Sequence, residues 1–338
     1  MTMLLPMEAK LAAVLPTGEG WQFEPKWDGF RCLAAVSSGK VELTSKAGKP
    51  LGRYFPDIVA GLAALPDCVL DGELIIPVGP TLSFQALQLR LHPAASRVRS
   101  LSLETPARLM LFDLLALGEQ ADLATRPLAT RRVALEAFFA EHRGGLMRLS
   151  PMTTDRAVAQ RWFEGTGSAL DGVVAKRIDE PYRPGERAMV KIKRMRSADC
   201  VVGGFRYAAK KQEVGSLLLG LYDGAGLLDH VGFCSGFAGI DRAALTERLE
   251  ALVEAPGFTG QAPGGSSRWA SERSTEWQPL RPELVVEIRF DHVTAQRFRH
   301  GTSIVRWRPD KAPRQCTIAQ LGEEARPALV DAAIAGPN

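Results

Sequence analysis

The chain has 338 residues, 46% of them hydrophobic and 24% charged, with a formal net charge of +4. That length favours two domains over one, and the composition is ordinary for a soluble globular protein able to bury real cores. No apolar run approaches the ~20 residues needed to span a bilayer, and the charge balance alone favours no class of partner.

The apolar start, "MTMLLPMEAKLAAVLP", has no basic n-region and is interrupted by Pro6, Glu8 and Lys10, which argues against a signal peptide. Short apolar runs bounded by Gly, Pro or Asp then dominate. "CVLDGELIIPV" (68–78), "RLMLFDLLAL" (108–117), "LDGVVAKR" (170–177) and "AMVKIKR" (188–194) read as strands. Between them, "PLATRRVALEAFFAEH" (127–142) and "DRAVAQRWFE" (155–164) read as amphipathic helices. Strands and helices mix without strict alternation, so the expected class is α+β with antiparallel sheets. The polar segment "KRMRSAD" (193–199) suits a hinge, giving domains 1–196 and 197–338. Beyond it, "CVVGGFRY", "GSLLLGLYD", "LLDHVGFCSGF" and "PELVVEIRF" are short strands with Gly-rich turns, interrupted by one helix at 241–253 and a long polar loop at 257–269. That pattern predicts a small β-barrel of the OB type. Cys32, Cys68, Cys200, Cys234 and Cys316 are scattered without a CxxC pair. They argue against a zinc ribbon and suit a reducing, cytoplasmic compartment.

Basic residues cluster. Between Arg183 and Lys211 only Glu186 and Asp199 are acidic, and between Arg297 and Arg314 only Asp310 is. Such runs are either a solvated, partly salt-bridged surface or a face for a polyanion. Lys191 and Lys193 project from one face of their strand, either toward an anion or as the guard of an exposed edge. Asp71 and Glu73 share a strand face, and Asp171 opens another strand; carboxylates there are either paired to arginine or bound to a hard cation such as Mg²⁺. Phe112 is either core or a platform for a purine. Lys26, between Pro25 and Trp27 and followed by Asp28, Gly29 and Arg31, is either a solvated charge or an amine held for chemistry. As a nucleophile it must be neutral, which burial or neighbouring cations favour.

Taken in order, these motifs resemble the covalent nucleotidyltransferases, the ATP-dependent DNA ligases and capping enzymes. "KWDGFR" (26–31) matches the K-x-D-G-x-R signature, and "TSKAGK" (44–49) stands at the S-R/K-x-G segment. "DGEL" (71–74), "LFDLL" (111–115), "DGVVAK" (171–176) and "VKIKR" (190–194) match the motifs that follow, and "RWRPDK" (306–311) resembles the OB-domain motif. "RYFPDI", "ADCVVGGFRY" and "RHGTSIVRWRPDKAPRQCT" bring the chain nearest to the bacterial C-type ligases and the ligase module of the D-type end-joining enzymes. Asp171 stands where the family usually has Glu, and Lys46 where many relatives have Arg, which removes a bidentate fork.

The resemblance implies a nucleotidyltransferase domain followed by an OB domain, sealing 5′-phosphate/3′-hydroxyl nicks in DNA repair through a lysyl-AMP on Lys26. It implies that Glu24 contacts adenine, Arg31 ribose and phosphate, and that Phe112 stacks on the base. Glu73 and Asp171 would hold metal (Mg²⁺ or Mn²⁺) or ribose. Lys46, Lys176, Lys191 and Lys193 would bind phosphates, and Arg308, Asp310 and Lys311 would orient pyrophosphate before swinging away. ATP is the implied AMP donor and nicked double-stranded DNA the implied partner of a monomer at the bacterial nucleoid, with no membrane and with a Ku-type protein or a repair polymerase as possible helpers. An RNA ligase or capping-type nucleotidyltransferase would share the Lys26 chemistry; a catalytically dead DNA-binding relative would not need Lys26, Glu73, Lys191 and Lys193.

Overall fold

The computed structural model describes residues 5–79, 81–118, 121–164, 170–209, 211–264, 276–294 and 296–321, so residues 265–269 of the expected polar loop lie outside them. The chain divides into two compact units, one through Arg194 and the other from Met195. Strands and helices are numbered in chain order.

The first unit pairs a four-stranded with a six-stranded sheet. In the four-stranded sheet β1 (Ala9–Ala12), β12 (Met189–Lys193), β11 (Leu170–Arg177) and β2 (Trp21–Trp27) lie in that order. The six-stranded sheet runs β10 (Met147–Leu149), β8 (Arg108–Leu117), β5 (Cys68–Ile75), β3 (Phe30–Ser37) and β4 (Lys40–Ser45), with β9 (Ala121–Asp122) also on β8. A small hairpin joins β6 (Pro77–Val78) to β7 (Thr81–Leu82). Pairing is antiparallel except for β1 with β12 and β10 with β8. The helices are α1 (Pro56–Leu62), α2 (Phe84–Arg90), α3 (Ala95–Glu104), α4 (Leu128–Glu141) and α5 (Arg156–Glu164). The expected helices at 127–142 and 155–164 are α4 and α5.

Alternation decides which face each side chain serves. From β5, Cys68, Leu70 and Leu74 join a core with Ile58 and Leu62 of α1 and Leu135 and Phe138 of α4. Its odd residues face the other way: Val69 packs with Met7, Tyr182 and Met189, and Ile75 with Trp27 and Leu170. Asp71 and Glu73 share that second face. In the four-stranded sheet, Phe23, Val173, Ala175 and Ile192 pack with Ala159 of α5. Their strand neighbours Glu24, Lys26, Val174, Lys176, Lys191 and Lys193 are turned to the opposite face, where they line one cavity with Glu73 and Phe112.

The second unit is a closed barrel. β13 (Arg196–Tyr207) pairs with β14 (Val214–Tyr222), β14 with β15 (Leu228–Gly236), β15 with β20 (Thr302–Trp307), β20 with β17 (Val285–Phe290), and β17 returns to β13. Only β15 with β20 is parallel. β16 (Gln278–Pro279) adds to β13, and β18 (Val293–Thr294) pairs with β19 (Arg297–Phe298). Helix α6 (Arg242–Glu250) follows β15, its N-terminus capped by the Asp241 carboxylate, which accepts from the amides of Ala243 and Ala244. Phe205, Leu217, Leu219, Val231, Val286 and Ile288 fill the barrel. Five strands in a ring with a helix after the third is the OB arrangement.

The expected hinge is shorter than its sequence suggests. Arg196 to Asp199 are strand, paired with Phe290 to Glu287, and Ala198 and Cys200 point into the barrel core. The polar residues of that stretch are the outward half of an alternating strand. Only Arg194 and Met195 separate β12 from β13. Among the described residues no helix is long and apolar enough to cross a membrane, and all five cysteines are buried free thiols.

Candidate active site

The first unit holds a cavity of about 260 Å³. Every residue of this unit to which the resemblance gave a role lines it, except Asp171: Glu24, Lys26, Arg31, Lys46, Glu73, Phe112, Lys176, Lys191 and Lys193 are all in its wall. Asp171 joins through an ion pair. Register explains this, because Lys26 lies opposite Gly172 across β2 and β11, and Val174 lies opposite both Glu24 and Lys191.

Lys26 Nζ donates to Asp171 Oδ2 at 2.7 Å, and Lys193 Nζ lies 3.6 Å from the same oxygen. A carboxylate oxygen of Asp28 lies within 4.8 Å of one of Asp171. The glycines of these motifs are needed for close approach. A side chain at Gly29 would run into the Leu74 carbonyl and Glu73, and one at Gly172, whose φ is +142°, into the Ile192 carbonyl.

Arg31 holds Asp71 through two hydrogen bonds of 2.6 Å, and its guanidinium carbon sits 4.4 Å from the Phe112 ring centroid. Asp71 is fully buried and also accepts from the Tyr182 hydroxyl at 2.7 Å. The Asp71 carboxylate is therefore a structural partner of arginine, one of the two readings its sequence left open. Lys176 and Glu24 form a buried pair at 2.7 Å, Gln22 donates to the other Glu24 oxygen, and Lys176 Nζ lies 4.8 Å from the Phe112 centroid. Lys46 lies 3.3 Å from Glu8. Burial holds Lys191 below the ordinary lysine range, helped by Lys26, Lys46 and Lys193 and opposed by Glu8.

Burial lifts the Glu73 carboxyl to about 7, against the pull of Lys26 and Arg31. The folded state thus binds a proton that the unfolded chain, near its ordinary value of 4.5, releases. The associated stabilisation is present in full below that lower value and is lost as pH rises through about 7. Glu73→Gln removes this dependence. Without nucleotide or metal, its melting temperature should gain on the unaltered protein between pH 5 and pH 8. A gap that stays constant would show that Glu73 is not held in its protonated form.

In the second unit Arg308 makes two hydrogen bonds to Asp199 at 3.0 Å and three to Asp310 at 2.8, 2.9 and 3.2 Å, while Lys311 Nζ reaches Asp199 at 2.7 Å. Arg308 holds Asp310 down to about 2. Sequence reasoning missed Asp199, the carboxylate that gathers both cations, as well as Glu8, Met7, Asp28 and Tyr182. Asp28 had a signal inside KWDGFR and Asp199 stood in ADCVVGGFRY; Met7, Glu8 and Tyr182 lie outside every motif and are held there by tertiary pairing.

Residues 5–193 match the family model for the ATP dependent DNA ligase domain, and 210–311 that for the ATP dependent DNA ligase C terminal region. The chain is 47% identical to DNA ligase C2 of Mycolicibacterium smegmatis, over 94% of this chain and 93% of that one. It is 43% identical to DNA ligase C of Mycobacterium tuberculosis, over 96% of both. Among solved structures, a Lig E DNA ligase superposes over 91% of this chain and 100% of its own with a TM-score of 0.58 at 16% identity, a likeness of fold.

Proposed function

The chain belongs to the ATP-dependent DNA ligases, and from that premise we propose how its residues share the work of sealing nicks in DNA repair. In the first step the neutral Lys26 amine attacks the α-phosphorus of ATP. A P–N bond forms, the amine proton leaves, and pyrophosphate departs. In the second, a 5′-phosphate oxygen at the nick takes the AMP and the Lys26 amine is freed. In the third, the 3′-hydroxyl attacks the 5′-phosphorus, loses its proton and expels AMP.

The observation that carries this reading is the setting of Lys26: it stands in the wall of a cavity lined by Lys46, Lys176, Lys191 and Lys193. That many cations around one amine suit bound phosphates. Arg31, fixed by Asp71, would meet ribose and phosphate, and Phe112 would carry the purine. Glu24, already engaged by Lys176 and Gln22, would offer its edge to the base. The donors Glu73, Asp28 and Asp171 are hard carboxylate oxygens that fit Mg²⁺ or Mn²⁺. Glu73 and Asp171 would hold the ion, which supplies charge neutralisation for the phosphates. Duplex affinity would come mainly from phosphate contacts by the two basic segments and fall steeply with salt. We place the protein in the cytoplasm at the nucleoid, acting as a monomer, with a Ku-type or repair-polymerase partner by analogy alone.

The assay offers nicked DNA and nicked RNA duplexes with ATP or GTP. Sealing of DNA with ATP is the expected result; a GMP adduct, or sealing confined to RNA, would favour the capping-type or RNA-ligase reading.

Arg308 and Lys311, gathered by Asp199, would orient pyrophosphate in the first step only. Lys311→Ala should therefore slow self-adenylation on the order of tenfold to a hundredfold, as loss of one charged donor does. Sealing of DNA that already carries a 5′-AMP should fall much less. Equal losses in both assays would move Lys311 to DNA binding or stability.

A further inference from the structure

The N-terminal segment brings a carboxylate to the cavity that no nucleotidyltransferase motif accounts for. Pro6, Met7, Glu8 and Ala9 form part of the cavity wall. Their backbone is tightly held: the Met7 amide donates to the Tyr182 hydroxyl at 2.8 Å, the Glu8 amide to the Glu186 carbonyl at 2.7 Å, and the Met189 amide to the Glu8 carbonyl at 3.1 Å. Strand β1 then runs parallel to β12, with Leu11 opposite Lys191. Glu8 is therefore placed by its backbone, whatever its side chain touches. The side chain lies 3.3 Å from Lys46 Nζ and 3.7 Å from the Arg187 guanidinium, and its charge also acts on Lys191. One carboxylate thus balances Lys46 and Lys191 of the cavity wall, together with Arg187.

We propose that Glu8 is an internal counter-anion that occupies Lys46 and Arg187 in the free protein and is exchanged for a phosphate group when substrate binds. This rests on the ligase reading above and adds to it a term that weakens phosphate binding. A site whose competent form is only partly populated binds with proportionally lower apparent affinity. Lys46 and Arg187 are more than half exposed. Such exposed pairs are individually weak, so releasing both corresponds to about a twofold to thirtyfold change in affinity. The phosphate has two possible sources, the triphosphate of ATP and the backbone at the nick.

The experiment compares the unaltered protein with Glu8→Gln and Glu8→Asp in two arms. One arm measures the half-saturating ATP concentration in single-turnover self-adenylation. The other measures the half-saturating concentration of pre-adenylated nicked DNA in sealing. In Glu8→Gln at least one of these should fall about twofold to thirtyfold, and the arm that responds identifies the source. The effect should fall on the half-saturating concentration rather than the saturated rate, be smaller in Glu8→Asp, and shrink as salt rises. If neither concentration falls, or if either rises, Glu8 is not a competitor for phosphate. A protein that forms no AMP adduct even without substitution would instead overturn the ligase reading.

Discussion

Lys26→Arg is expected to abolish the AMP adduct, lowering self-adenylation by on the order of 10³ or more, as removal of a covalent nucleophile does. Arginine keeps the positive charge and can still reach Asp171, but it stays protonated at any working pH and has no lone pair to offer phosphorus. Lys26 is partly exposed and donates to Asp171 at 2.7 Å, so the melting temperature should hold to within a few degrees. Sealing from ATP should be lost with the adduct. Sealing of a nick already bearing a 5′-AMP should survive far better, because the third step does not use the amine. Normal adenylation in Lys26→Arg would move the nucleophile elsewhere.

Asp171→Ala should impair phosphodiester formation on pre-adenylated nicks by about 10²-fold or more, the scale of losing a charged group at a reacting centre. In the free protein this carboxylate lies between the ammonium groups of Lys26 and Lys193. Its removal leaves two cations without their shared partner and takes one hard oxygen from the set offered to metal. Asp171→Glu should retain activity. Because Mg²⁺ requires ligands near 2.1 Å and tolerates misfit poorly, the short aspartate arm should let Mn²⁺ support sealing at least as well as Mg²⁺, and the longer glutamate should shift the balance toward Mg²⁺. Single-turnover sealing with each metal checks this. An Asp171→Ala protein that seals normally removes the residue from the site; an unchanged metal ratio in Asp171→Glu discards the argument from arm length.

Strand period showed which side chains share a face, and the family resemblance, not the period, nominated the candidate site. Lys191 and Lys193 had to share a face, as did Asp71 and Glu73, and both pairs do, on strands whose other faces are buried. The barrel was legible because Gly-rich turns cut "CVVGGFRY", "GSLLLGLYD" and "LLDHVGFCSGF" into lengths that suit a small ring of strands. What stayed hidden was partnership. Nothing local ties Tyr182 to Asp71, more than a hundred residues earlier, or Asp199 to Arg308 and Lys311. Asp71 lies on β5 and Tyr182 in the segment between β11 and β12, and Asp199 meets Arg308 and Lys311 because β13, β17 and β20 lie side by side in the barrel. The helices α1, α2 and α3 were missed because they are short and weakly patterned; α2 is marked chiefly by its Ser83 cap. Most of the polar segment 193–199 is strand, hidden for a related reason: outward polar residues of a strand resemble a loop until the inward positions, Ala198 and Cys200, are seen to be buried.

The most direct measurement is the site and fate of the adduct. The protein is incubated with ATP and a divalent cation, its intact mass is recorded, and the modified peptide is mapped before and after nicked DNA is added. AMP should appear once, on Lys26, and should leave the protein as sealed strand accumulates. AMP on any other residue, or an adduct on Lys26 that nicked DNA does not discharge, would contradict a ligase built around this lysine.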